Sequence, residues 1–269
     1  MQTSMIRLFS TALVFTALSA CTVNVAPSSP GNANGPSSNN SSNGNNTSGS
    51  SAGGAASSNS GTQLGVPTEG MVEYLSFNTP PGADVEGVTL TADRFGIPNS
   101  AYNFDGEKSA IKVNLDINPE VKPALTLSAW VRYLPLPDAG EDLIYQVISH
   151  DDGAYDRSMG IDYRSTGGQG WSMFAGDQGV LGSSPLKAGE WAQLTSVYDQ
   201  SSKLAVLYVN GKEVSRSTEA ELGAGYDYLL IGSNPAFVEH FPGDIDEVRI
   251  YERALSEAEV KTLYERSKP

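Results

Sequence analysis

Eight aspartates, Asp93, Asp105, Asp151, Asp152, Asp156, Asp162, Asp244 and Asp246, are the side chains best suited to chemistry in this sequence. Their oxygens are hard donors of the kind calcium gathers. Asp105 and Asp246 are the expected metal ligands. A structural reading stands beside that one. Asp93 and Asp105 would accept bonds from their own turns, and Asp246 from amides of a neighbouring strand. The run Asp151 to Asp156 is acidic but lacks the spacing of a helix–loop–helix calcium loop.

Paired carboxylates also cleave glycosidic bonds, about 5–5.5 Å apart where the configuration is retained. Asp244-Ile245-Asp246-Glu247-Val248-Arg249 is the nearest approach to such a set. Alternation along a strand puts Asp244 and Asp246 on one face, but Val248 takes the next position and Glu247 points away. No Ser/His/Asp or Cys/His arrangement offers a nucleophile of another kind.

A binding site needs flat rings beside hydrogen-bonding groups. Tyr155, Tyr163, Trp171, Tyr226, Tyr228, Phe237 and Phe241 are the candidate rings, with Asp152, Arg157, Arg164 and His240 close to them in sequence. Most rings in a β sandwich are core. The expected contact residues are Asp152, Tyr155, Arg157, Tyr163 and Trp171, in the stretch from Asp151 to Trp171.

Composition narrows the classes. One cysteine excludes an intramolecular disulfide and a Cys-rich metal site, and two histidines argue against a multi-histidine zinc site. A formal charge of −14 repels nucleic acid.

The elements that must hold these residues are strands. From Val66 onward, short apolar runs are separated by Gly, Pro, Asn and Asp. Leu125, Leu127, Ala129 and Val131 alternate with Thr126, Ser128, Trp130 and Arg132. Asn210-Gly211 supplies the positive φ angles of a two-residue hairpin turn. About a dozen antiparallel strands over about 200 residues close as an all-β, two-sheet jelly-roll sandwich. Ser256 with Glu259 forms a capping box that starts a short C-terminal helix, Glu257 to Arg266. If Val248 and Ile250 face the core, period two carries Asp246 to the same face, where a carboxylate needs a partner.

The N-terminal 20 residues have the form of a signal peptide: Arg7, then an apolar run from Leu8 to Leu18. Leu18-Ser19-Ala20-Cys21 resembles the lipobox of bacterial lipoproteins. That resemblance implies acylation of Cys21 and a lipid anchor in the membrane; Thr22, where many inner-membrane proteins have Asp, favours the outer membrane. Residues 21–65 are Ser, Asn, Gly, Pro and Ala with few large apolar side chains, a composition that predicts a disordered linker. Residues 66–269 form the folded domain.

Ala101-Tyr102-Asn103-Phe104-Asp105-Gly106, LTLSAWVRY, Gly189-Glu190-Trp191, LYVNGKEV and GDIDEVRIYERALSEAEV follow one another as in laminin-G-like domains of the concanavalin A-like lectin/glucanase jelly roll. The resemblance spans about residues 70 to 265. It implies two curved sheets and, as in many such domains, one calcium ion near a sheet rim. Glucanases with this jelly roll carry three alternating acids, a pattern that Val248 breaks here. The expected function is a membrane-tethered, non-catalytic module recognising a glycan or protein partner at the cell envelope. A structural or adhesive envelope protein without a small ligand and a degenerate glycan hydrolase are the alternatives.

Overall fold

The computed structural model describes residues 65–80, 85 and 87–269. Cys21, the expected signal peptide and nearly all of the expected linker lie outside the described residues. Among the described residues, fourteen strands and one α-helix run in the order β1 (Met71–Leu75), β2 (Thr89–Thr91), β3 (Ala101–Asp105), β4 (Ile111–Val113), β5 (Ala124–Tyr133), β6 (Ile144–Ser149), β7 (Ser158–Asp162), β8 (Gly170–Phe174), β9 (Val180–Ser184), β10 (Trp191–Asp199), β11 (Leu204–Val209), β12 (Lys212–Ser217), β13 (Leu229–Ile231), β14 (Pro242–Tyr251) and α1 (Glu257–Ser267).

They build two antiparallel sheets. The first has the order β12-β11-β10-β5-β14-β3-β2, with β1 also on β14. The second is β4-β13-β6-β7-β8-β9. Leu125, Leu127, Ala129 and Val131 of β5 enter the core between them, where they meet Val147, Ile148, Met159, Ile161 and Met173. Each of the larger of these side chains contributes about 1.5–3 kcal/mol by leaving water. The alternate positions of β5 face outward but are not exposed. Thr126, Ser128 and Trp130 are buried beside a second cluster, in which Leu255, Val260 and Leu263 pack on Val197, Val206 and Tyr251. The capping box starts α1 as expected, with the Ser256 amide donating to Glu259 Oε2 at 2.9 Å.

β14 departs from simple alternation. A β-bulge lies between Asp246 and Arg249, and Glu247 takes φ 54°. The extra residue shifts the register. Ile245, Val248 and Ile250 therefore face the core, while Asp246 sits opposite Trp130 on the outward face. The expectation that Asp246 shares the core face of Val248 is corrected. Before the bulge β14 pairs with β3, and after it with β1.

Candidate functional site

Residues 150–157 join β6 to β7, and their own polar groups hold them. His150 Nε2 accepts the Arg157 amide at 3.1 Å, and Nδ1 lies 3.2 Å from the Tyr226 carbonyl, so the neutral ring with hydrogen on Nδ1 satisfies both. Burial pushes the imidazole pKa down to about 4. Asp151 Oδ1 accepts the Asp156 amide at 3.1 Å, and the Asp152 amide donates to Asp156 Oδ2 at 3.3 Å. Burial, and then the charges of Asp151 and Asp152, push Asp156 up to about 7. Gly153 takes φ 117°, a conformation that side chains disfavour. The Phe237 ring packs over it, such that a Cβ there would lie 3.5 Å from Cζ.

This connection forms one wall of a cleft of about 230 Å³, lined by Asp151, Gly153, Tyr155, Arg164, Phe174, Phe237 and Glu239. Tyr155 meets Phe174 edge-on, with centroids 5.3 Å apart. Phe237 is 51% exposed. Arg164 grips Asp162 at two points, Nε to Oδ1 at 2.9 Å and Nη2 to Oδ2 at 2.6 Å. Its guanidinium carbon lies 5.5 Å from the Tyr155 centroid. Asn234 Nδ2 donates to Asp151 Oδ2 at 3.1 Å and to Glu239 Oε2 at 2.8 Å, which ties the two lining acids together. The Ala236 amide donates to Asn234 Oδ1 at 3.0 Å and so fixes which way the carboxamide points. Burial raises the Glu239 pKa, against the Asn234 bond and the Arg164 charge.

Of the five expected contact residues, only Tyr155 lines this cleft. Asp152 is exposed beside it, and Tyr163 is 39% exposed but outside the lining. Arg157 is corrected. It is fully buried, and its guanidinium donates to the carbonyls of Ile117 at 2.5 Å, Lys122 at 2.7 Å and Pro123 at 3.3 Å. It fastens the turn before β5 and presents nothing to a ligand. Trp171 is likewise corrected. At 2% exposure it belongs to the inter-sheet core, though it also lines a second cleft of about 180 Å³ with Lys187 and Trp191. Glycine-rich neighbours in the sequence do not expose a ring whose strand turns it inward. Arg164 and Phe237, named among the candidates but left out of the expected set, are cleft residues. Glu239 was missed, because nothing in the sequence shows that residues 234–239 fold back onto the β6–β7 connection.

Asp105 and Asp246, the expected metal ligands, each bond within the protein. Asp105 Oδ1 accepts the amides of Glu107, Lys108 and Ser109, each at 2.9 Å. Burial works against its charge, but these bonds hold its carboxyl well below the usual range. Asp246 Oδ2 takes Arg94 Nη1 at 2.6 Å, and burial pushes its pKa up to about 8 despite that cation. Among the described residues no group of three or more His, Cys, Asp or Glu side chains is placed to hold a metal. The remaining acids of β14 are also paired. Asp244 accepts from Arg132 and Asn103, and Glu247 from Arg249 and Tyr74.

A family model of the concanavalin A-like lectin/glucanases superfamily, of laminin G type, matches residues 105–261. The chain belongs to this superfamily. No curated protein matches the sequence. Among solved structures this lectin/glucanase domain is similar to Trypanosoma rangeli sialidase, at 19% identity and TM-score 0.51 over 74% of this chain and 33% of that one. It is similar to the binding domain of Paraclostridial Mosquitocidal Protein 1, at 21% identity and TM-score 0.50 over 67% of this chain and 46% of that one. A third is the botulinum neurotoxin serotype D binding domain, at 16% identity and TM-score 0.51, with 74% and 52% covered. The chain thus spans a third to about half of the length of these proteins. At such identities the likeness is one of fold, and a lectin/glucanase fold carries many activities.

Proposed function

We propose that this protein is a non-catalytic glycan-binding module, held at the bacterial cell envelope by a lipid on Cys21 and carried on the residue 21–65 linker. One observation carries the reading: the cleft between Tyr155 and Phe237 pairs aromatic rings with polar groups whose directions are fixed by Asn234 and Asp162. Rings of this kind stack on the C–H faces of sugars while the polar groups take hydroxyls, the mix expected of a small-ligand site. The pairing of Asp244, Asp246 and Glu247 with arginines supports binding rather than hydrolysis by the β14 acids, since glycosidases of the usual kind keep two carboxyls free to face the bond. The names of two structural neighbours, both binding domains, agree with this reading.

A glycan array probed with the full-length chain tests the proposal. Binding to a saccharide that weakens about tenfold in Phe237→Ala is the expected result. An array silent at high protein concentration, or binding indifferent to Phe237, would overturn it. Metabolic labelling with a fatty acid tests the anchor, with label expected on the wild type and absent from Cys21→Ser.

A further inference from the structure

The cleft is unevenly charged. Asp151, Asp162 and Glu239 are close enough to influence one another, yet the lining holds a single cation, Arg164, already gripped by Asp162 at two points. Asn234 satisfies one oxygen each of Asp151 and Glu239, but it is a neutral donor and brings no compensating charge. Glu239 Oε1 has no hydrogen-bond partner among the described residues. The half-exposed ring of Phe237 lines the same cleft. A carboxylate beside the face of an aromatic ring is a place for a cation.

A second observation comes from the sheet beneath. Gln146, Gly160, Ser172 and Gly182 stand in one cross-strand row over four strands. Met159, Ile161 and Met173 alternate with them into the core, so the row lies on the outward face, which Phe174 and Asp162 share. Gln146 is fully buried, and neither its Nε2 nor its Oε1 has a partner; Ser172 Oγ has none either. The Gln146 amide donates to the Glu239 carbonyl at 3.0 Å, which ties this row to the cleft wall. Gly160 has no Cβ because one would fall 2.0 Å from the Tyr145 carbonyl oxygen and 3.0 Å from Gln146 Oε1. Gln146 offers both a donor and an acceptor, and burial without a partner is unfavourable for both. Gln146 does not itself line the cleft, so only a turn of its side chain out of its buried position brings these groups to a ligand's hydroxyls.

We propose that the cleft takes a protonated amine carried on a sugar ring, as in a deacetylated hexosamine glycan. The ammonium sits between Glu239 and the face of Phe237, and the hydroxyls are met by Gln146. A free carboxylate on the sugar is excluded by Asp151 and Glu239, since like charges brought together in a cleft disfavour the complex. A lysine side chain supplies the same ammonium but leaves Gln146 unpaired. The proposal rests on the cleft being the glycan site.

Calorimetry with the full-length chain at low salt separates the two claims. The probes are a β1,4-linked glucosamine tetramer, its fully N-acetylated form, tetragalacturonate and tetralysine. The expected result is that the glucosamine tetramer binds at least about tenfold tighter than the acetylated one, with no binding of tetragalacturonate. Glu239→Gln should remove most of that preference and its salt dependence. Gln146→Met should weaken the sugar and leave any tetralysine binding unchanged. Equal affinity for the acetylated and free tetramers overturns the amine claim and leaves the glycan site standing. Tetralysine bound as tightly as the sugar overturns the choice of a saccharide. Glucosamine binding that persists unchanged in Phe237→Ala, or no binding to any probe, overturns the placement in this cleft as well.

Discussion

The guanidinium of Arg94 lies 2.6 Å from Asp246 Oδ2, and both side chains are at most 2% exposed. Arg94 Nε also donates to the Ser267 carbonyl at 2.5 Å, so one arginine ties the β14 bulge to the end of α1. Ser267 Oγ in turn accepts from Trp130 at 2.9 Å and Gln193 at 3.0 Å, which seals the helix onto the outward face of the first sheet.

Removing Arg94 leaves a buried carboxylate without its cation. Arg94→Met is expected to cost most, up to roughly 3–5 kcal/mol, above about pH 8, where Asp246 is ionised. The carboxyl pKa is raised to about 8 in the fold against an ordinary value near 3.8, so the folded state holds the proton more tightly across that window. Ionising Asp246 therefore subtracts stability as pH rises, and the penalty is absent at low pH. The loss caused by Arg94→Met should shrink markedly at pH 5. Urea denaturation at the two pH values checks this, and equal losses would show that the missing charge is not what matters.

His150 and Asp156 titrate in opposite senses within one loop. His150 is neutral in the fold down to about pH 4, whereas in the unfolded chain it takes a proton near 6.5. The unfolded state binds more protons in that window, so this group's contribution is present above 6.5 and lost as pH falls towards 4. The full difference is on the order of 3 kcal/mol. Asp156, raised to about 7, does the reverse: its contribution is present below about pH 4 and lost as pH rises to 7. The stability difference between wild type and His150→Gln should grow with pH from 4 to 6.5. That between wild type and Asp156→Asn should decline over pH 4 to 7. Paired denaturation curves show both trends, and a flat difference for His150→Gln would mean the ring is protonated inside the fold.

Calcium is expected to leave the described domain unchanged. One oxygen of Asp105 is taken by three turn amides, and Asp246 gives one oxygen to Arg94 and keeps the other buried, so neither presents both oxygens to calcium. The melting temperature should be the same in excess EDTA and in millimolar calcium. A rise of several degrees with calcium would place a site at ligands other than these two.

The fold was legible because two periodicities are plain in the sequence. The alternation of Leu125 to Val131 and the Ser256–Glu259 box each appear where the residues put them. The facing of Asp246 was not legible. A bulge that needs Glu247 at positive φ leaves no mark in a non-glycine residue. Arg157 and Trp171 misled for a related reason. Residue type suggests a contact, but strand phase and the carbonyls of Ile117, Lys122 and Pro123 decide it. The cleft joins residues 151–164 to 234–239, and a pairing across that much chain has no local signature.

Gly153 and Phe237 separate what holds the cleft from what the cleft presents. Phe237 is half exposed, so Phe237→Ala should change stability by no more than about 1 kcal/mol while it removes the ring from the site. Gly153→Ala forces a side chain onto a backbone at φ 117°, and strain of that kind costs about 1–3 kcal/mol. Relief of the strain would move Tyr155 and the surface on which Phe237 rests, so this variant should lose both stability and binding. Thermal melting read beside saccharide binding distinguishes the two. A Phe237→Ala protein that melts as early as Gly153→Ala would show that the ring is part of the core, and that the cleft has no aromatic platform to offer.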